Sequence, residues 1–270
     1  MVIIVIILYR MGEIMRQVLG NNLRKFFITI QMILYLTFLI IDLIGGSSLL
    51  SSGVKYTIVL LCFFYTLLIE EGRTKKILFC YRTALLFTVI ADFFLLLLDY
   101  HYLYGILSFL VVQQIYGIKL DETQALNQSN SKFKGKDLSF ISLLPLLRFG
   151  GQLLLTLAVC LVLYSFKIPI DSLLVTSSFY FINIVTNVIR AIHLSLKNPS
   201  SWNDRIFAIG MILFLLCDIN VGLYNLSGFI TLTEAFYNMV VSISSILMWA
   251  FYAPSQVMIV LSLDEFSQNR

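Results

Sequence analysis

Eight times along the chain an apolar run of roughly the length needed to cross a bilayer recurs, about 20 residues for a helix. The runs are Phe26–Ile44, Val54–Ile69, Ile77–Leu98, Tyr102–Leu120, Phe140–Leu163, Ser172–Ile192, Ile206–Tyr224 and Ala235–Leu261. In hydrocarbon each backbone N–H and C=O must find a partner within the protein, and a helix satisfies them inside one segment. Composition agrees, with 59% apolar and 13% charged residues and a mean hydropathy of +0.90. Soluble domains hold about 25% charged residues. The expected fold is an all-α membrane protein of eight transmembrane helices.

The expected organisation is a single membrane domain over 26–261, with an N-terminal segment, 1–25, and a short tail, 262–270. The opening "VIIVIILY" is too short to span and has neither a basic leader nor a small-residue cleavage site. It reads as an interfacial segment rather than a signal peptide. The polar stretch 121–137, "DETQALNQSNSKFKGKD", reads as a mobile linker.

Lysine and arginine mark the cytoplasmic side of short loops. Arg10, Arg16, Arg24 and Lys25 precede the first span. Arg73, Lys75 and Lys76 follow the second, Lys132, Lys134 and Lys136 the fourth, and Lys197 and Arg205 the sixth. The alternate loops offer Lys55 and Lys167. This bias predicts a multi-pass protein of the cell membrane with both termini cytoplasmic. The net charge of +4 is a topology signal, since no basic-aromatic face or DNA-binding motif accompanies it. Nucleic acid is not an expected partner. Cys62, Cys80, Cys160 and Cys217 lie in apolar runs without a CxxC pair, and His101 and His193 are far apart, so neither a disulfide framework nor a metal site is expected.

Two carboxylates interrupt the apolar pattern. Asp92 lies within "FTVIADFFLLLL" and Asp218 within "GMILFLLCDINVGLY". Each is six residues from the end of its run, which places it about 9 Å below the helix end at 1.5 Å per residue. Four spans separate the two helices, so both run in the same direction. The matching placement predicts two parallel four-helix halves. Insertion costs about 2.5–3.5 kcal/mol for an Asp at a helix centre, while interhelical polar bonds return about 0.6 kcal/mol on average. A purely structural role does not offset that cost, so Asp92 and Asp218 are the candidate catalytic pair. Two carboxyl groups sharing a dry site offer one acid and one base. Asp42 and Asp99, at span ends, are expected to be solvated. Gln113, Tyr116, Asn183, Tyr252 and Gln256 are candidates for lining a polar cavity around the pair, and Lys55 is the nearest candidate cation.

These residues resemble the lysoplasmalogenase-like (YhhN) family of integral membrane proteins. Ala91-Asp92, then Gly105, Ser108, Phe109 and Tyr116, follow the first family signature, with Gln113 where histidine is usual. Gly210, Phe214, Cys217 and Asp218 follow the second, with Cys217 in place of serine. Tyr252 and Gln256 match the third, and Lys55-Tyr56 stands where the family has Lys-Pro. The resemblance implies eight helices and cofactor-free hydrolysis of the vinyl-ether bond of lysoplasmalogens, with a lysophospholipid as substrate. Gln113, Tyr116, Tyr252 and Gln256 would orient water and the carboxylates, and Lys55 would meet the headgroup phosphate. A proton- or cation-coupled transporter and a catalytically silent lipid-binding protein are the alternative readings.

Overall fold

The computed structural model describes residues 2–69, 74–98, 100–130, 138–225 and 233–263, with side chains over 22–127 and from 145 onward within those ranges. Among them the chain is helical: α1 (Val2–Leu43), α2 (Ser48–Leu68), α3 (Lys75–Asp92), α4 (Tyr102–Asn130), α5 (Leu138–Ser165), α6 (Ser172–Lys197), α7 (Trp202–Tyr224) and α8 (Glu234–Leu261). A π-helical stretch, Phe93–Leu98, continues α3 beyond Asp92. Among the described residues eight helices are long and apolar enough to cross a membrane. The protein is a multi-pass membrane protein.

Contacts between helices repeat across the two halves of the chain. The pairs α1–α2, α2–α3 and α3–α4 have counterparts in α5–α6, α6–α7 and α7–α8. The cross-half pairs match too: α2 packs on α8 as α6 packs on α4, and α1 touches α8 as α5 touches α4. Six helices, α2, α3, α4, α6, α7 and α8, therefore form a closed ring of neighbours, with α1 and α5 outside it. Apolar burial follows this plan, since the spans of α1 and α5 are the least covered of the eight. The parallel halves expected from the two aspartates are present in the packing.

Local chemistry sets the helix starts. Ser47, Thr74, Asp171 and Ser201 each accept a hydrogen bond from a backbone N–H in the first turn, those of Leu50, Ile77, Leu174 and Asp204. Such caps satisfy donors that a helix end leaves open. The Ser47 cap also explains why α2 begins six residues before the expected Val54: the serine-rich stretch looks like a loop but starts a helix. Pro254 cannot donate to the carbonyl four residues back, and that carbonyl, on Ala250, accepts from the Tyr35 hydroxyl of α1 at 3.2 Å. This contact keeps α8 continuous through its proline.

Two glycines permit close approaches between helices. A Cβ on Gly105 would lie 2.5 Å from Leu95 Cγ, so the π-helical stretch rests directly on α4. A Cβ on Gly210 would meet the α8 backbone at Ser255 O and Ile259 N, each 3.1 Å away.

The N-terminal segment and the first span form one continuous helix, Val2–Leu43. One expectation is corrected. The stretch read as a linker from Asp121 is helical to Asn130, and Asp121 is ion-paired with Arg148 and Arg190. Residues 131–137, with Lys132, Lys134 and Lys136, lie outside the described residues, as does Asp99.

Candidate active site

Asp92 closes α3 where the helix widens into its π-helical stretch, a distortion frequent at functional sites. It is 3% exposed. Its Oδ2 accepts a hydrogen bond from the Tyr252 hydroxyl of α8 at 2.7 Å. Asp218 on α7 has its own tyrosine: the Tyr180 hydroxyl of α6 donates to Asp218 Oδ2 at 2.6 Å.

One phenylalanine joins the two pairs. The Phe109 ring of α4 lies 6.1 Å from Tyr252 and 6.0 Å from Tyr180, centroid to centroid. Phe214 packs on Phe109 at 5.7 Å and on Tyr252 at 5.5 Å. An arc therefore runs Asp92, Tyr252, Phe109, Tyr180, Asp218, drawing on α3, α8, α4, α6 and α7. Cys217 lies within electrostatic reach of both carboxylates, and Tyr56 and Cys62 of α2 lie within reach of Asp92.

A polar seam leaves the Asp218 end of this arc along the facing sides of α4 and α6. Asn187 Nδ2 donates to the Gln113 backbone carbonyl at 2.7 Å and to Gln113 Oε1 at 3.1 Å. The Gln113 side chain lies within reach of the Tyr180 hydroxyl. Gln114 donates to Asn183 Oδ1, and to Gln152 Oε1 of α5 at 3.4 Å. At the far end Arg190 donates to the Gly117 carbonyl at 3.2 Å and pairs with Asp121, which Arg148 also holds at 2.7 Å. The buried atoms Gln113 Nε2, Asn187 Oδ1 and Gln152 Nε2 have no protein partner. Buried polar atoms in native proteins are normally satisfied by protein or by ordered water, so this seam is chemically suited to water.

The expected site residues divide between these regions. Asp92, Asp218 and Tyr252 form the arc, Gln113 lies at its foot, and Asn183 belongs to the seam. Tyr116 lies apart, packed with Tyr81 at 6.4 Å and Phe207 at 5.7 Å. Its buried hydroxyl has no partner. Gln256 sits one turn beyond Tyr252 and donates to Ser255 Oγ at 3.3 Å.

Lys55 is 9% exposed and pairs with Asp42 at 2.8 Å. Asp42 also accepts from Ser51. Asp42, expected to be solvated at its span end, is only partly exposed and has protein partners as well: the early start of α2 carries Ser51, and with it Lys55, to it. The Lys55 ammonium faces Phe38 at 5.5 Å and Trp249 at 5.1 Å, and Trp249 contacts Tyr252 at 5.1 Å. Lys55 therefore adjoins the arc through an aromatic ring and already has a carboxylate partner.

Tyr180 escaped the sequence reading. Its signal was available, since Tyr180, Asn183, Asn187 and Arg190 recur at helical spacing along one face of α6. A tyrosine in an apolar span reads as lipid-facing or core until that face is extended upward from the asparagines. Among the described residues no three His, Cys, Asp or Glu side chains gather in a way that could hold a metal ion.

The sequence model of the YhhN family matches residues 50–263, from the first turn of α2 to just past the end of α8. Searches of curated proteins and of solved structures gave no match. The matched span covers most of the chain and all the residues of the arc and the seam, and on that ground the chain belongs to the YhhN family.

Proposed function

We propose that this protein hydrolyses the vinyl-ether bond of lysoplasmalogens, releasing a fatty aldehyde and a glycerophospho-headgroup, with Asp92 and Asp218 as acid and base. Family membership supports the reaction class. The observation that carries the residue assignment is the arc: two carboxylates in apolar helices, each oriented by a tyrosine and joined through Phe109.

In this reading the protonated carboxyl gives its proton to the alkenyl carbon distal to the ether oxygen. The resulting oxocarbenium carbon accepts water, while the ionised carboxylate removes a proton from that water. The hemiacetal then collapses. The first carboxylate recovers a proton from the hemiacetal hydroxyl, and the second carboxyl protonates the departing glycerol oxygen. Both aspartates return to their starting forms, and the sum is vinyl ether plus water to aldehyde plus alcohol. Positioned acid–base groups of this kind contribute about 10²–10⁴-fold each. Tyr252 and Tyr180 hold the carboxylates in place, and Gln113 lies where it can orient the water. A substrate phosphate would compete with Asp42 for Lys55. The substrate tail enters from the bilayer between helices. In this reading the protein sits in the cell membrane with its termini in the cytoplasm, following the positive-inside rule.

The test is to incubate the purified protein with a lysoplasmalogen and measure free aldehyde. Release by the native protein and none by Asp92→Asn supports the reading; no release by the native protein overturns it.

One observation favours a second reading, a proton-coupled transporter. The polar seam from Asp218 toward Asp121 and Arg190 resembles the intramembrane polar chains of proton pathways. Substrate uptake driven by a pH gradient in proteoliposomes, without aldehyde formation, selects it.

A further inference from the structure

The last turns of α6 carry a basic stripe that the arc does not use. Arg190, His193 and Lys197 recur at helical spacing on one face, at the end of α6 away from Asp218. Ten residues separate Tyr180 from Arg190, about 15 Å along the helix at 1.5 Å per residue. The stripe lines a cavity of about 160 Å³ whose other walls are Leu120 and Gln124 of α4 and Ile189 and Leu194 of α6.

Charge at this cavity is unbalanced. Its lining holds no carboxylate. Asp121, next to Leu120 of the lining, is shared between Arg148 and Arg190, so two guanidinium groups face one acid. Lys197 and His193 add exposed donors at the mouth, and Gln124 adds a polar amide. The floor is apolar, with Leu120 and Leu194 buried. Ile189 of the cavity wall and Leu196, one residue before Lys197, are 62% and 74% exposed, as side chains facing lipid are. An anion alone has no use for the apolar wall. An amphiphile with a phosphate and adjoining acyl chains uses both halves.

We propose that the cavity between the ends of α4 and α6 binds the phosphate of an anionic membrane lipid, with its acyl chains lying against Ile189 and Leu196. Basic pockets between transmembrane helices near a membrane surface bind lipid headgroups in this manner. The site is separate from the arc and does not depend on the reaction assigned to it.

The test is native mass spectrometry of the full chain released from nanodiscs holding phosphatidylglycerol and phosphatidylcholine of matched chains. The native protein retains phosphatidylglycerol preferentially. His193→Ala/Lys197→Ala, both exposed positions, loses that preference by about fivefold or more, the effect of the one lysine charge removed together with the lost histidine donor. Lys75→Ala, an exposed cation at the same membrane face, leaves it unchanged. An equal loss in Lys75→Ala means diffuse surface attraction and overturns the site. Equal retention of the two lipids by the native protein also overturns it. A third arm adds inorganic phosphate: if phosphate displaces the bound lipid only at bulk-salt concentrations the lipid assignment stands, and if phosphate binds tightly while phosphatidylglycerol does not, the lipid assignment falls.

Discussion

Asp92 and Asp218 occupy corresponding places in the two halves of the molecule, yet their surroundings differ. Each lies on the third helix of its half, six residues before the helical segment ends. The second helices correspond as well: Tyr56 and Tyr180 both lie eight residues beyond the first residue of their helix, Ser48 and Ser172. Tyr180 donates to Asp218, but Tyr56 only lies near Asp92, whose hydrogen bond comes from Tyr252 on α8. Further along, α6 has Asn183, Asn187 and Arg190 where α2 has Val59, Phe63 and Thr66. In place of a polar seam at these positions, α2 carries Lys55, ion-paired with Asp42 of α1 near the opposite end of the bundle. The duplicated architecture fixes where a carboxylate sits. Substitutions on its neighbours decide what it is wired to, and a pair with unequal wiring suits unequal tasks.

The largest effects come from the carboxylates themselves. Asp92→Asn and Asp218→Asn each lower aldehyde release by about 10²–10⁴-fold, with the protein still inserted and monodisperse on gel filtration. Full activity in either variant removes it from the proposed pair. The tyrosines come next and test the asymmetry directly. A hydrogen bond to a charged group is worth about 1.5–3 kcal/mol, so Tyr252→Phe and Tyr180→Phe each cost roughly 10- to 100-fold in kcat/KM. Tyr56→Phe removes no hydrogen bond to Asp92 and leaves kcat/KM within about twofold of the native value. If Tyr56→Phe matches Tyr252→Phe, the two halves are functionally equivalent and the comparison above is wrong.

Much of this arrangement is legible in the sequence. Span length and apolar content fix a helix in lipid, because no other local structure satisfies the backbone there. The equal placement of Asp92 and Asp218 carried the parallel halves. Where the sequence misled, the cause lay between helices. Ser47 to Gly53 look like a loop in isolation, but a capped start draws them into α2 and brings Lys55 to Asp42. Asp121 looks like the first residue of a polar linker, yet two arginines from α5 and α6 claim it. Neither partner is near it in sequence. Tyr180 was hidden because one aromatic in an apolar span has many explanations, and only Asp218 across the α6–α7 contact selects among them.

The ion pair of the first half gives a stability test. Lys55 and Asp42 are largely shielded, with side chains 11% and 21% exposed. Removing one member of a buried pair costs about 3–5 kcal/mol, and partial solvation at this site reduces that to about 1–3 kcal/mol. Lys55→Met alone and Asp42→Asn alone should therefore each lower the unfolding temperature in detergent. The double variant recovers part of the loss, because it leaves no unpaired charge. Additive losses in the double variant mean that the two side chains do not interact.

The smallest effect is expected in the seam of the second half. Asn187→Phe places on α6 the residue that Phe63 supplies at the corresponding position of α2. It removes two hydrogen bonds to Gln113, one of them to a backbone carbonyl. Interhelical polar bonds in membranes average about 0.6 kcal/mol, with a maximum near 1.7, and the bulk of phenylalanine adds an overpacking cost. Asn187→Leu, closer in size, isolates the polar contribution, so its destabilisation should stay near about 1 kcal/mol. Its effect on kcat separates two uses of the seam. If the seam serves only to hold α4 against α6, kcat changes in step with stability and the pH profile keeps its shape. If it orders water beside Tyr180 and Asp218, kcat falls further than stability does, and the limb of the pH profile governed by Asp218 moves while the other stays. That one-sided response is the outcome the unequal wiring of the two carboxylates requires.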